Sequence, residues 1–87
     1  MVYRLEIIRS AQKQMLDLSR DAQLEIVTAI DGLANEPRPH GCRKLRGTEL
    51  WRLRLGRYRI IYVVDDKAHI VTIIKVAARR EDTYQGL

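Results

Sequence analysis

The sequence predicts an α+β domain in which a small antiparallel sheet packs against an N-terminal helical hairpin, with elements in the order β-α-α-β-β-β. Three observations support this prediction: an opening segment of alternating apolar residues, two consecutive helical stripes, and three later segments rich in β-branched and aromatic residues. The 87 residues are enough for one hydrophobic core, so we expect a single domain over residues 1–87.

The N-terminal part of the chain predicts one strand and two helices. Residues 2–8 alternate between apolar and charged side chains, which is typical of a strand. Ser10 is the expected N-cap of a short helix, and Ser19 is the expected N-cap of a longer one. The apolar stripe of the short helix is Ala11, Met15 and Leu18. The stripe of the long helix is Ala22, Ile26, Ala29, Ile30 and Leu33. The sequence Asn35-Glu36-Pro37 should end the hairpin.

Three further strands are expected at residues 51–55, 58–64 and 70–78. Between the first two, Gly56-Arg57 suits a two-residue type II′ turn, because glycine tolerates the positive φ of the first central position. This turn would pair Arg54 with Arg59. Since side chains alternate between the faces of a sheet, the apolar residues of both strands should face the helices. The opposite face should then carry Arg52, Arg54 and Arg59.

Positive charge is concentrated in the middle of the chain. Residues 38–59 contain eight basic residues and one acidic residue, a net charge of +7, whereas the whole chain has +5. Such an excess indicates a polyanionic partner. Like charges placed directly across a strand pair destabilise it by about a few tenths of a kcal/mol to 1 kcal/mol. A cross-strand pair of arginines therefore favours a phosphate-binding surface over an ordinary solvated face.

Several classes of protein are disfavoured by composition. The chain has one cysteine, Cys42, so an internal disulfide is impossible and a reducing cytoplasm is expected. Cys42, His40 and His69 are not spaced as metal ligands, and we expect neither a metal nor another cofactor. No apolar run reaches the length of a membrane span, and we expect no membrane partner.

The order of motifs resembles that of the RelE-type toxins in the RelE/ParE superfamily. The matching segments are Asn35-Glu36-Pro37-Arg38, Lys44-Leu45-Arg46-Gly47, Leu50-Trp51-Arg52-Leu53-Arg54, Gly56-Arg57-Tyr58-Arg59-Ile60-Ile61-Tyr62, and Arg79-Arg80-Glu81 with Tyr84 behind it. The resemblance implies the same fold and a ribosome-dependent endoribonuclease. Such an enzyme cuts mRNA in the ribosomal A site by attack of the RNA 2′-hydroxyl, and a cognate antitoxin holds it inactive.

The resemblance also implies roles for individual residues. The implied catalytic residues are Arg52, Arg54, Arg59, Arg80 and Tyr84, and the implied nucleic-acid-binding residues are Lys44, Arg46 and Arg79. Some members of the superfamily have lysine at the positions of Arg52 and Arg54. An arginine stays protonated, so these two residues can stabilise negative charge but cannot act as general bases. That role passes to Tyr84, with Glu81 as the alternative.

Two other functions remain as alternatives. The first is a ParE-like toxin that poisons DNA gyrase and has no nuclease activity. The second is a non-catalytic nucleic-acid-binding module, for which binding should depend strongly on salt without any cleavage. The clustered arginines favour the nuclease, because a gyrase-binding protein does not need a group of residues directed at a phosphate.

Overall fold

The computed structural model describes residues 2–78. Within them lie five strands and two helices. They are β1 (Arg4–Ile7), α1 (Arg9–Leu16), α2 (Arg20–Leu33), β2 (Cys42–Lys44), β3 (Trp51–Leu55), β4 (Tyr58–Asp65) and β5 (Ile70–Ala78). The strands form one sheet in the order β1-β5-β4-β3-β2. The apolar residues of α1 and α2 share one core with the sheet, which confirms the α+β class and the helical hairpin on one face.

The sheet is mixed, whereas the sequence predicted an antiparallel one. Strands β2 to β5 are antiparallel to their neighbours, but β1 runs parallel to β5 at the sheet edge. Strands joined by a two-residue turn must be antiparallel. The chain after β1 forms the helical hairpin instead, and a connection of that length allows parallel pairing. The sequence also failed to predict β2. This strand has only three residues, Cys42-Arg43-Lys44, and no apolar alternation.

The predicted stripe residues are buried in the core or pack against it, but Leu18 lies after the end of α1 at Leu16 and is not part of the helix as predicted. Ser19 caps α2 by accepting a hydrogen bond from the backbone N–H of Ala22 at 3.2 Å, as predicted. The predicted cap of α1 is wrong: the helix begins at Arg9, and its N-cap is Ile8 rather than Ser10. The strand leads directly into this helix, because the N–H of Ile8 still donates to Ile73 of β5 at 3.2 Å. Neither helix in residues 2–78 is long and apolar enough to cross a membrane.

The β3–β4 hairpin has the predicted register. Gly56 has a φ of 60° and Arg57 a negative φ, as a type II′ turn requires. Leu55 is paired with Tyr58, Arg54 with Arg59, and so on along the two strands. The helix-facing side chains are Trp51, Leu53, Leu55, Tyr58, Ile60 and Tyr62, and all of them belong to the core or pack against it.

A bulge in β5 changes which side chains face the core. Ile61 pairs with Lys75 but Tyr62 pairs with Ile73, so Ile74 is the extra residue. Without the bulge, strict alternation from the buried Ile73 would turn Lys75 inward and Val76 outward. With it, Val76 is 3% exposed in the core and Lys75 is exposed to solvent. The backbone N–H of Val76 donates to Gln14 Oε1 of α1 at 2.8 Å, which satisfies a group at the end of the β1–β5 pairing.

A polar cluster joins the loop after α2 to the β4–β5 turn. Arg38 binds Asp66 through two hydrogen bonds, Nη1 to Oδ1 at 3.2 Å and Nη2 to Oδ2 at 2.7 Å. The Tyr3 hydroxyl donates to the same carboxylate at 2.7 Å. The Arg38 guanidinium also lies over the Trp51 ring, 5.1 Å from its centroid. These contacts hold together four segments that are distant in sequence: the N-terminal residues, the loop after α2, β3 and the β4–β5 turn.

Replacement of Asp66 by asparagine should reduce the acid sensitivity of the fold. The Arg38 guanidinium, and next the Tyr3 hydroxyl, hold the pKa of Asp66 below its ordinary value near 4. The folded chain therefore keeps this carboxylate ionised at a pH where the unfolded chain protonates it. The resulting stability is present above about pH 4 and is lost as the pH falls through the lowered pKa.

Urea unfolding at several pH values between neutrality and acid would measure the effect. The free energy of unfolding of Asp66→Asn should be lower at neutral pH and fall less on acidification than that of the unchanged chain. Asp31→Asn is the control, because Asp31 is exposed and forms no ion pair within residues 2–78. Identical pH profiles for Asp66→Asn and Asp31→Asn would show that the cluster does not contribute to stability.

Candidate nucleic-acid interface

Arginines from adjacent strands lie on the sheet face opposite the helices. Arg54 of β3 pairs with Arg59 of β4, and both side chains are exposed. Arg52 lies two residues before Arg54, so it is on the same face. We call this surface, formed by Arg52, Arg54, Arg59 and the cationic residues beside them, the arginine face. The sequence predicted that Arg54 and Arg59 lie opposite each other on this face, and the strand register confirms it.

Within residues 2–78, neither Arg52 nor Arg59 forms an ion pair with a carboxylate. Arg52 is half-buried, and its Nε is buried with no hydrogen-bond partner in the described part of the chain. This buried atom is closed to a ligand in the observed side-chain position, so an anion would be bound through the exposed guanidinium groups of the face. The arginine face therefore has the composition that phosphate binding requires.

Two further cations belong to this face, and the sequence did not predict them. Arg43 of β2 lies directly opposite Arg52, and Lys75 of β5 lies opposite Ile61. Arg43 was missed because β2 was not predicted. Lys75 was missed because only the bulge in β5 brings it to this side of the sheet, and the sequence has no glycine or other clear bulge signal there. Both side chains are exposed.

Lys44 and Arg46, the predicted nucleic-acid-binding residues near β2, lie away from the centre of the arginine face. Lys44 pairs with Trp51, so its side chain starts on the helix side of the sheet rather than beside Arg52. Arg46 is exposed in the loop between β2 and β3. The N–H of Leu45 donates to Leu50 O at 2.8 Å across this loop, and Gly47 takes a positive φ of 74°. Residues 44–49 line a shallow cavity of about 410 Å³.

The remaining predicted residues, Arg79, Arg80 and Tyr84, lie outside the described residues, as does Glu81. Strand β5 ends at Ala78, which pairs with Tyr58, one residue beyond Ala77, the partner of Arg59.

Arg38 belongs to the basic segment of the sequence but not to the arginine face. Its guanidinium is bound to Asp66 and stacked on Trp51, a helix-side residue of β3. Its charge therefore supports the fold and is offset by a carboxylate. The sequence could not separate this arginine from the others, because its partner is 28 residues further along the chain.

Comparison with known proteins places this geometry in a family. A family model described as the ParE toxin of the type II toxin–antitoxin system parDE matches residues 5–83. The chain belongs to the RelE/ParE superfamily of toxins. It is 31% identical over 92 aligned positions to a candidate RelE1 toxin of Methanocaldococcus jannaschii, with 99% of each chain covered. The family assignment and the observed fold together confirm the resemblance found in the sequence.

Solved structures of similar fold include toxins and toxin–antitoxin complexes. A chain of the archaeal RelE–RelB complex from Pyrococcus horikoshii is 33% identical to this toxin, with a TM-score of 0.82 over 93% of this chain and 99% of that one. A chain of the RelBE2 complex from Mycobacterium tuberculosis is 26% identical, with a TM-score of 0.84 over 91% and 93%. The isolated RelE toxin of E. coli is 26% identical, with a TM-score of 0.78 over 97% and 93%.

Proposed function

We propose that this toxin is a ribosome-dependent endoribonuclease that cleaves mRNA in the ribosomal A site and is held inactive by a cognate antitoxin. The observation that best supports this function is the Arg54–Arg59 pair, with Arg52 beside it on the same face. Guanidinium groups brought together in this way suit the binding of a phosphate by bidentate hydrogen bonds. Ribosomes and mRNA are its proposed targets, and the cytoplasm is therefore where it would act.

The proposed reaction is a transesterification within the RNA. The 2′-oxygen attacks the neighbouring phosphorus, and a pentacovalent phosphorane with additional negative charge forms. The bond from phosphorus to the 5′-oxygen then breaks, which leaves a 2′,3′-cyclic phosphate and a 5′-oxygen that takes a proton from water to become a hydroxyl. Arg54 and Arg59 would bind the non-bridging oxygens and stabilise the additional charge. Arg52 would contribute to the same field, and Arg80 and Arg79 would join from the end of β5.

The proton of the 2′-hydroxyl needs an acceptor other than the arginines of the sheet, which stay protonated. We assign this role to Tyr84, with Glu81 as the alternative. A free tyrosine is a poor base at neutral pH, because its pKa is about 10, and neighbouring guanidinium groups would favour the phenolate. The ribosome would position the RNA, and positioning can lower a barrier by several kcal/mol, about 7–11 in favourable cases.

A groove on the helix side is the proposed docking surface for the antitoxin. It has a volume of about 370 Å³ and lies between α2 and β3, lined by Asp21, Leu24, Glu25, Thr28, Ala29 and Leu55. Leu24 is 68% exposed and provides apolar surface at this groove. The apolar side of an antitoxin helix, with basic residues facing Asp21 and Glu25, would fit this groove. The RelE–RelB complexes among the similar structures support an antitoxin partner.

The ParE-like alternative is favoured by one observation, the description of the matching family model. A gyrase poison would not need the arginine face for chemistry, and its toxicity would survive the loss of Arg59. A non-catalytic nucleic-acid-binding module would bind RNA in a salt-dependent way without cutting it. Both alternatives are therefore outcomes of the same experiment.

That experiment measures cleavage of mRNA on ribosomes programmed with a codon in the A site, together with DNA supercoiling by gyrase. The unchanged toxin should cut the mRNA and leave gyrase active. Arg59→Ala should slow cleavage by about two to three orders of magnitude, the usual effect of losing one electrostatic stabiliser of a transition state. Arg20→Ala removes one exposed charge from α2, and it should cut at the unchanged rate.

The stability of Arg59→Ala is the control for folding. Removing one member of a like-charge pair should leave the free energy of unfolding unchanged or raise it by about a few tenths of a kcal/mol. A variant that unfolds would make Arg59 structural and would overturn the assignment. Gyrase inhibition without mRNA cleavage would favour the ParE-like function, and salt-dependent binding without either activity would favour the binding module.

Tyr84→Phe tests the assignment of the general base. This variant keeps the aromatic ring and removes the hydroxyl, so ribosome binding should persist while the chemical step slows. Single-turnover cleavage of ribosome-bound mRNA, measured across a range of pH, separates the two effects. An unchanged rate and pH profile would exclude Tyr84 and transfer the role to Glu81 or to a mechanism without a protein base.

Leu24→Lys tests the antitoxin groove. Lysine favours helices about as well as leucine does, and position 24 is exposed, so the fold should be retained. The variant should cleave mRNA normally but bind the antitoxin more weakly, so that co-expressed antitoxin no longer restores growth. Val27→Lys is the control, because Val27 is an exposed apolar residue of α2 that does not line the groove. Equal rescue of both variants would contradict the proposed docking surface.

A further inference from the structure

A second pair of arginines adjoins the first on the arginine face. Arg43 of β2 lies opposite Arg52 of β3 in the strand register, just as Arg54 lies opposite Arg59 one strand further across the sheet. Strand β2 has three residues and forms the edge of the sheet, so like charges opposite each other in its middle are an added cost to a short pairing. This cost suggests that the Arg43–Arg52 pair has a ligand of its own.

The two pairs are placed diagonally. Arg52 and Arg54 are two residues apart on β3, which is about 6.7 Å along the strand, and adjacent strands are about 4.8 Å apart. One pair lies between β2 and β3, and the other lies between β3 and β4. Two anions held midway between the members of each pair would therefore lie about 8 Å apart along this diagonal, and the long arginine side chains could adjust to neighbouring phosphates of one extended single strand.

The second pair is also available to a ligand. Neither Arg43 nor Arg52 forms an ion pair with a carboxylate in residues 2–78, and Arg43 is exposed. Arg52 is half-buried, so part of its side chain remains open to solvent. A phosphate between the two guanidinium groups could accept hydrogen bonds from both and offset their charges. Arg46 and Lys44 do not offer this arrangement, since neither lies opposite another cation in the sheet.

We propose that Arg43 and Arg52 form a second phosphate subsite, which binds the backbone phosphate next to the one held by Arg54 and Arg59. The ligand is an extended single-stranded RNA that crosses β2, β3 and β4 diagonally. This inference builds on the proposed function, because it names how the substrate lies on the same face. It assigns Arg43 a positioning role and no part in the chemical step.

The test is binding of a short fluorescent oligouridylate, with 2′-O-methyl groups that prevent cleavage, to the purified toxin at several salt concentrations. Each phosphate contact changes the slope of log K against log salt by about 0.7 for single strands. The unchanged toxin should give a slope of about −1.4 or steeper. Arg43→Ala should reduce its magnitude by about 0.7, and the double variant Arg43→Ala/Arg59→Ala should reduce it by about 1.4.

Two controls separate the subsite from general charge and from folding. Arg20→Ala removes the same charge from the helix side and should leave the slope unchanged. Arg43→Lys retains the charge and should restore most of the slope. If Arg43→Ala lost slope because it misfolded, the circular dichroism spectrum of Arg43→Ala would also differ from that of the unchanged toxin. The proposal fails if the unchanged toxin gives a slope shallower than about −1.4, or if Arg43→Ala matches Arg20→Ala. It also fails if the double variant matches Arg59→Ala, because all four arginines would then hold one phosphate.

The outcome is distinguishable from the outcome for the proposed nuclease. The salt slope reports binding alone, and the uncleavable RNA removes chemistry from the measurement. A toxin with the expected slopes that does not cut ribosome-bound mRNA would retain the second subsite and lose the nuclease function. A toxin that cuts mRNA but shows no effect of Arg43→Ala on the slope would retain the nuclease function and lose the subsite.

Discussion

The two-residue turn at Gly56-Arg57 fixes the register of β3 on β4, and the surface chemistry of this toxin depends on that register. Side chains alternate between the two faces of a strand. The register set by the turn therefore places Trp51 and Tyr62 on the core side and Arg54 and Arg59 on the opposite side. A slip by one residue would exchange the two faces. Burying the arginines would then cost several kcal/mol for each unpaired ion, so core packing itself enforces the position of the charges.

The bulge in β5 extends the same separation to the next strand. Val71, Ile73 and Val76 are all buried although their spacing is irregular, and the extra residue Ile74 makes this possible. The hydrophobic side chains thus remain on the helix side, and Lys75 joins the arginines. Arg38 shows the opposite outcome for a basic residue: its carboxylate partner Asp66 and the Trp51 ring retain it on the helix side as part of the fold.

Most of the fold could be predicted because its signals are local. The helical stripes, the Ser19 cap and the Gly56 turn each depend on residues within a few positions of one another. The features that were missed depend on pairing between distant segments. The parallel alignment of β1 with β5, the short strand β2 and the bulge at Ile74 are all set by strand neighbours that periodicity cannot identify. For the same reason Arg54 and Arg59 could be paired in advance, whereas Arg43 and Lys75 could not.

A face built from arginines, with one lysine at its edge, has a consequence for mechanism. Guanidinium groups keep their charge over the whole physiological pH range, so the central residues of the face can bind and stabilise anions but cannot exchange protons. In the proposed reaction, proton transfer would then involve groups outside the centre of the sheet, either residues after Ala78 or the RNA and the ribosome. If RNA binds the folded toxin through these guanidinium groups, as proposed, it would also add to the stability of the folded state. The same side chains would then serve both substrate binding and stabilisation of the transition state.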